Sequence, residues 1–153
     1  MSRAFVKETD DVPELPDRPV SAHPNVVTAR GLQLIEAEVE RFRQALGAAR
    51  GAGERDKIAA AARELRYWTA RRASAEVQPA PRDCEEVRFG CRVTILKDDG
   101  RRQTFRIVGE DEADAKAGLI SYASPLARAL IGREEGDTVR AAESEAEIIK
   151  IEA

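Results

Sequence analysis

The sequence predicts an α+β fold: an antiparallel helical hairpin, or short coiled coil, followed by an antiparallel β domain carrying one short helix. Three observations lead there. Apolar residues recur at alternating spacings of three and four between Leu32 and Trp68, interrupted by Gly51-Ala52-Gly53. After Pro79 and Pro81 the period changes from helical to strand-like. The stretch that follows is punctuated by turn and helix-start signals, Asp98-Asp99-Gly100 and Ser124-Pro125.

Each element follows in order. Met1 to Pro24 carries Pro13, Pro16, Pro19 and Pro24 among Asp10, Asp11, Glu14 and Asp17. Proline fixes φ and removes a donor, and few apolar groups are available to bury, so this segment reads as a flexible acidic tail. Phe5 and Val6 are its candidate docking residues. Asn25 to Val77 reads as the hairpin. Thr28 is its N-cap, and Leu32, Ile35, Val39, Phe42 and Leu46 form an a/d seam. That pattern stops at Gly47. The second helix continues the seam through Ile58, Ala61, Leu65, Trp68, Arg72 and Ala75, with the Arg72 stem packed and its head in water. Each arm is expected to reach about 20–30 Å.

Gln78 to Asp83 is a linker, and Cys84 to Ala153 is the β domain. Val93 and Ile95 lie on a strand that turns at Asp98-Asp99-Gly100 into Thr104–Val108. Glu110 to Gly118 reads as a solvated acidic loop, and Leu119 to Tyr122 as a short strand. Ser124 caps a small helix with Pro125 at its first position, and Gly132 stops it. Closing strands are expected near Asp137–Ala142 and Glu145–Glu152. In the last one Ile148 alternates with Lys150, and Ile149 and Ile151 face the other way.

Composition narrows the function classes. Of 153 residues, 35% are charged and only 5% aromatic, and the formal charge is −3. A generally basic nucleic-acid binder is disfavoured, leaving room for a local basic stripe. No apolar run approaches the length of a membrane span, and no signal core opens the chain, so a cytoplasmic location and no membrane partner are expected. Cys84 and Cys91 are seven apart and His23 is far away, which does not make a zinc site. Cys91 is expected to pack in a strand with Cys84 at its approach. No metal site and no cofactor of the chain's own are expected. A nucleophile–base pair is not visible either.

Three stretches carry a family resemblance. They are NVVTARGLQL from Asn25, RELRYWTARRASAEV from Arg63, and the run IVGEDEAD, ISYASPLARALIG and EEGDTV between Ile107 and Val139. In order and spacing they resemble the GreA/GreB transcription elongation factors over Asn25 to Ala153, with the second hairpin helix closer to GreB. The resemblance implies an FKBP-like C-terminal domain docked on RNA polymerase near its secondary channel, and a coiled coil reaching into that channel. It also implies that Ser121, Tyr122, Ala123, Ser124 and Pro125 grip the polymerase. In cleavage-competent members, carboxylates at the coil tip help the polymerase's own active site hold a second Mg²⁺. Any such ion would be held mainly by polymerase.

The sequence departs from that family at the tip. The G-D-x-x-E-N-A-x-Y type motif is absent, and Gly31 to Tyr67 is shorter by about eighteen residues, or roughly 13 Å per arm. Glu54 and Asp56 are the nearest tip acids, and they also suit the positive end of the second helix. The expected function is a polymerase-binding regulator of elongation, a monomer without an active site of its own. The alternatives are a genuine cleavage factor using Glu54 and Asp56, and a binding module for another protein. Arg63, Arg66, Arg71 and Arg72, interleaved with Tyr67 and Trp68, form a candidate surface for nucleic acid or an acidic partner; the same residues also read as a solvated helix face. Fold analogy alone raises prolyl isomerisation, with Phe89, Phe105 and Tyr122 as the only rings for a pocket.

Overall fold

The computed structural model describes residues 14–153. Phe5 and Val6 lie outside them. The chain divides into two units, one made of Ile35–Ala73 with the segment before His23, the other of His23–Leu34 and Ser74–Ala153.

The first unit is the hairpin. Helix α1 runs Ala29–Ala52 and helix α2 runs Arg55–Ser74, about 36 and 30 Å long at 1.5 Å per residue. Helix α1 exceeds the expected length because it does not stop at Gly47, and α2 lies at the upper end of the expected range. A glycine inside a helix weakens it by only about 1 kcal/mol, which the packed seam outweighs. The break comes at Gly53, whose φ of +66° is left-handed and favours glycine. The seam buries Ile35, Val39, Leu46 and Ala49 on α1 and Ala59 and Ala61 on α2. At the end of α2 the expectation fails: Arg71 is buried at 2% exposure, whereas Arg72 is exposed and 3.9 Å from Glu36.

The segment expected to be a flexible tail lies, in its described part, along α2. Arg66 donates from Nε to the Asp17 carboxylate at 2.6 Å and from Nη2 to the Leu15 carbonyl at 3.1 Å. Arg18 pairs with Glu64 at 2.8 Å and sits 3.7 Å above the Tyr67 ring. Prolines flanking these residues favour an extended chain, so little entropy is lost in laying it down.

The second unit is built on a five-stranded sheet, β3 (Arg92–Lys97), β4 (Arg102–Val108), β5 (Leu119–Ser121), β6 (Thr138–Ala141) and β7 (Ser144–Glu152). Its spatial order is β5-β4-β3-β7-β6. All neighbours are antiparallel except β4 and β5, which run parallel, so the sheet is mixed where a wholly antiparallel one was expected. The acidic loop between those strands, folded into short 3-10 turns at Glu110–Glu112 and Ala115–Ala117, provides the crossover. Helix α3 (Pro125–Leu130) buries Ala127 and Leu130 in the core with Val93, Ile95, Ile107, Val139 and Ile148.

On β7 the simple alternation is broken. Thr94 pairs with Lys150 but Ile95 pairs with Ile148, so Ile149 is an extra, bulged residue. The bulge returns Ile151 to the buried face beside Ile148, contrary to the expected pattern.

Two further strands were not legible beforehand. Val26–Val27 (β1) and Glu76–Val77 (β2) form a short parallel ladder on either side of the hairpin sequence. Asn25 supports it by donating from Nδ2 to the Ser74 hydroxyl at 3.1 Å.

Cys84 and Cys91 form a disulfide rather than a packed thiol and its neighbour. The loop between them folds back through buried Val87 and through Gly90, whose φ is +88°. That brings the two Cα atoms to 6.3 Å, a spacing that a disulfide spans. Maleimide labelling of the unfolded chain is therefore expected to be negligible before reduction and to reach both thiols after it. Full labelling without a reductant would refute the bond.

Candidate functional site

The Ser121–Pro125 stretch is a compact, internally bonded loop. Its conformation starts from β5, where Tyr122 N–H donates to the Val108 carbonyl at 2.9 Å. Ser121 Oγ accepts from Ala123 N–H at 3.1 Å, and the Ser121 carbonyl accepts from Ser124 N–H at 2.9 Å. Ser124 caps α3 by accepting from Ala127 N–H at 3.3 Å. With Pro125 following, the chain enters α3 in a fixed direction. Tyr122 donates its hydroxyl proton to the Pro24 carbonyl, and its ring meets the edges of Phe89 and His23. Phe89, Phe105 and Tyr122 pack against the core, so the three rings raised for an isomerase pocket serve as filling. The loop presents half-buried Ser121, Tyr122, Ala123 and Ser124 and exposed Pro125, preformed and without flexible charged groups. Such a surface loses little entropy on docking.

The acidic loop is only partly the solvated feature expected. Glu112 has a carboxylate only 3% exposed. It accepts a short hydrogen bond from the Thr28 hydroxyl and a second from Arg30 Nη1 at 3.0 Å. Thr28 Oγ in turn accepts Gly31 N–H at 2.9 Å, so the sequence-predicted N-cap stands. A Cβ on Gly31 would lie 3.0 Å from Glu112 Oε1, and the glycine leaves room for the carboxylate. An acid here also faces the positive end of α1. Sequence reasoning missed Glu112 as a structural anchor, since nothing distinguished it from Glu110 and Asp111. The one usable signal was the pairing of a Thr-x-x-Gly helix start with an acid in the same unit.

At the hairpin turn, Glu54 and Asp56 are both exposed, in or beside the first turn of α2. Glu54 pairs with Lys57 at 2.8 Å, and its carbonyl accepts from Ile58 N–H at 2.9 Å. Both acids stand at the positive end of α2, Asp56 within its first turn. Among the described residues no group of three or more His, Cys, Asp or Glu side chains is arranged to hold a metal ion.

The four candidate arginines do not act as one patch. Arg66 is engaged by Asp17 and Leu15, Arg71 is buried, and Arg72 lies near Glu36. Arg63 Nε and Trp68 Nε1 are enclosed without a hydrogen-bond partner.

Residues 82–153 match the family described as "Transcription elongation factor, GreA/GreB, C-term". The transcription elongation factor GreA of Alkalilimnicola ehrlichii is 39% identical over 150 residues, covering 82% of this chain and 95% of the relative. The chain belongs to the GreA/GreB family. Relatives of both names align with this GreA/GreB chain. The GreB of Neisseria meningitidis serogroup B is 48% identical over 79 residues, 50% of this chain and 48% of that protein. Among solved structures, GreA factor homolog 1 of Thermus thermophilus is 19% identical with a TM-score of 0.42, over 86% of this chain and 100% of that one. No helix among the described residues is long and apolar enough to cross a membrane.

Proposed function

We propose that this chain is a transcription elongation regulator that binds RNA polymerase, gripping it with Ser121–Pro125, and that its hairpin works at the secondary channel without delivering catalytic acids. The family supports the polymerase partner. The observation that carries the second half is the turn itself: Glu54 is committed to Lys57 and to the start of α2, on a turn of Gly53 and Glu54 alone. Acids that assist a two-metal site must approach Mg²⁺ within about 2.1 Å, and arms shortened by roughly 13 Å do not bring them there. A misplacement of about 1 Å already harms positioning chemistry. In this reading the chain has no active site of its own and holds no cofactor. Any Mg²⁺ belongs to the polymerase.

RNA cleavage in stalled, backtracked elongation complexes tests both parts. The chain alone is expected to leave the transcript intact, and to suppress cleavage when added to an active relative. Cleavage by the chain alone, lost on Glu54→Ala with Asp56→Ala, would restore the cleavage-factor reading. Failure of saturating chain to displace the relative would point to a partner other than polymerase.

A further inference from the structure

The Cys84–Cys91 bond joins two sulfurs in unlike surroundings. Cys91 is fully buried just before β3, whereas Cys84 is half-buried and followed by exposed Glu85 and Glu86. The peptide between them does not rely on the bond for its course. Val87 N–H donates to the Arg133 carbonyl and Gly132 N–H to the Val87 carbonyl, each at 2.8 Å. Gly90 N–H donates to the Ile107 carbonyl at 2.8 Å, and the Cys91 carbonyl accepts from Ile107 N–H at 3.1 Å. On the Cys84 side, Arg88 Nη2 donates to the Asp83 carbonyl at 2.8 Å. These backbone anchors keep the cysteines adjacent whether or not the sulfurs are joined. The bond spans only seven positions, so it removes little freedom from the unfolded chain. The Glu86 carbonyl oxygen lies 3.9 Å from Cys91 Sγ, an acceptor already in place for the S–H that appears on reduction.

We propose that this pair is a reversible thiol–disulfide exchange site whose substrate is a dithiol, with Cys84 the sulfur that exchanges and Cys91 the enclosed resolving thiol. A thiolate of the dithiol attacks Cys84 Sγ, the Cys84–Cys91 bond breaks, and Cys91 leaves with the electron pair and takes up a proton. The second thiol of the same molecule then attacks its own partner sulfur in the mixed disulfide. It closes a cyclic disulfide and releases Cys84, which is protonated in turn. The dithiol is oxidised by two electrons and the protein bond is reduced. Against a monothiol, Cys91 attacks Cys84 again and expels the adduct before a second molecule arrives, so the geometry selects a dithiol. The enclosed Cys91 reaches no sulfur but that of Cys84, because buried thiols are inert to reagents in solution. The inference does not depend on polymerase docking, so it stands or falls separately from the reading above.

The test takes the full chain, reduced with dithiothreitol and freed of it, and treats it with cystamine, the disulfide of a small amine thiol. Mass spectrometry reads the adducts. The native chain is expected to regain its internal bond and to retain no cysteamine. Cys91→Ala is expected to hold a single cysteamine on Cys84. Cys84→Ser is expected to leave Cys91 unmodified until the chain is unfolded. The far-ultraviolet circular dichroism of the native chain is expected to survive reduction. An adduct that persists on the native chain overturns the resolving role of Cys91, and modification of folded Cys84→Ser overturns the assignment of Cys84. Loss of the β signal on reduction overturns the proposal outright, because the bond is then a structural staple. The assignment of Cys84 is decided by Cys84→Ser, a change at the half-buried position, so it stands even where Cys91→Ala fails to fold.

Discussion

Gly109→Ala is expected to destabilise the β domain by about 2–3 kcal/mol, the upper range for overpacking. The reason is one distance. A Cβ at this position would fall 2.5 Å from the Val26 carbonyl oxygen and 3.5 Å from Val27 Cα. Both are backbone atoms, so no rotamer change relieves the collision. The backbone at Gly109 is extended with φ −72°, and the effect is purely one of space. The displaced segment is also the one that bonds β2: Glu76 N–H donates to the Asn25 carbonyl at 2.8 Å, and Gln78 N–H to the Val27 carbonyl at 2.9 Å. Urea unfolding followed by circular dichroism measures the change. Gly47→Ala is the matched comparison, because a Cβ there meets nothing within 4 Å in an exposed helical position. It should stabilise the hairpin by about 0.5–1 kcal/mol. Equal midpoints for Gly109→Ala and the native chain would show that the segment before α1 yields freely.

The second large effect is Glu112→Ala, expected to lose about 2–3 kcal/mol. The carboxylate is enclosed, and its removal leaves the Thr28 hydroxyl without its acceptor at the very start of α1. Arg30 contributes less to the loss. Its side chain is 61% exposed and turns to water when the partner goes. Glu112→Gln keeps an oxygen for Thr28 and should lose about half as much. Since Gly109 and Glu112 both act on the stretch from Val26 to Gly31, the double variant should fall short of the sum. Full additivity would mean that the two residues hold separate things.

How much of this was legible in sequence depends on range. Local signals succeeded. Thr28 and Ser124 are caps, Pro125 opens α3, and Gly100 turns the β3–β4 hairpin, because each is decided within a few residues. In that turn Arg101 N–H donates to the Asp99 carboxylate, which with the Arg101 guanidinium holds its pKa below the usual range. Features set by distant partners were hidden. Ile149 is a bulge only because Ile95 pairs with Ile148. Arg71 is buried although Arg72 is the residue at the seam spacing. The Cys84–Cys91 bond required the fold-back at Gly90, and Glu112 needed Thr28, eighty-four positions away, to be distinguished from its acidic neighbours. The contacts made by the described part of the acidic segment were hidden for the same reason. Its composition is that of a disordered tail, but Arg66 and Tyr67 give Asp17 and Arg18 specific places to go.

The ladder of β1 and β2 has a consequence for ancestry. Its two strands flank the hairpin in the sequence, and the residues around them belong to the same unit as the sheet. In connectivity the hairpin is therefore an insertion between two stitched ends. Deleting matched turns from both arms leaves Val26 opposite Glu76 and every residue of the sheet in register. Reach along the arms is then a heritable quantity that changes by loss or gain of segments, with no compensating substitution needed elsewhere.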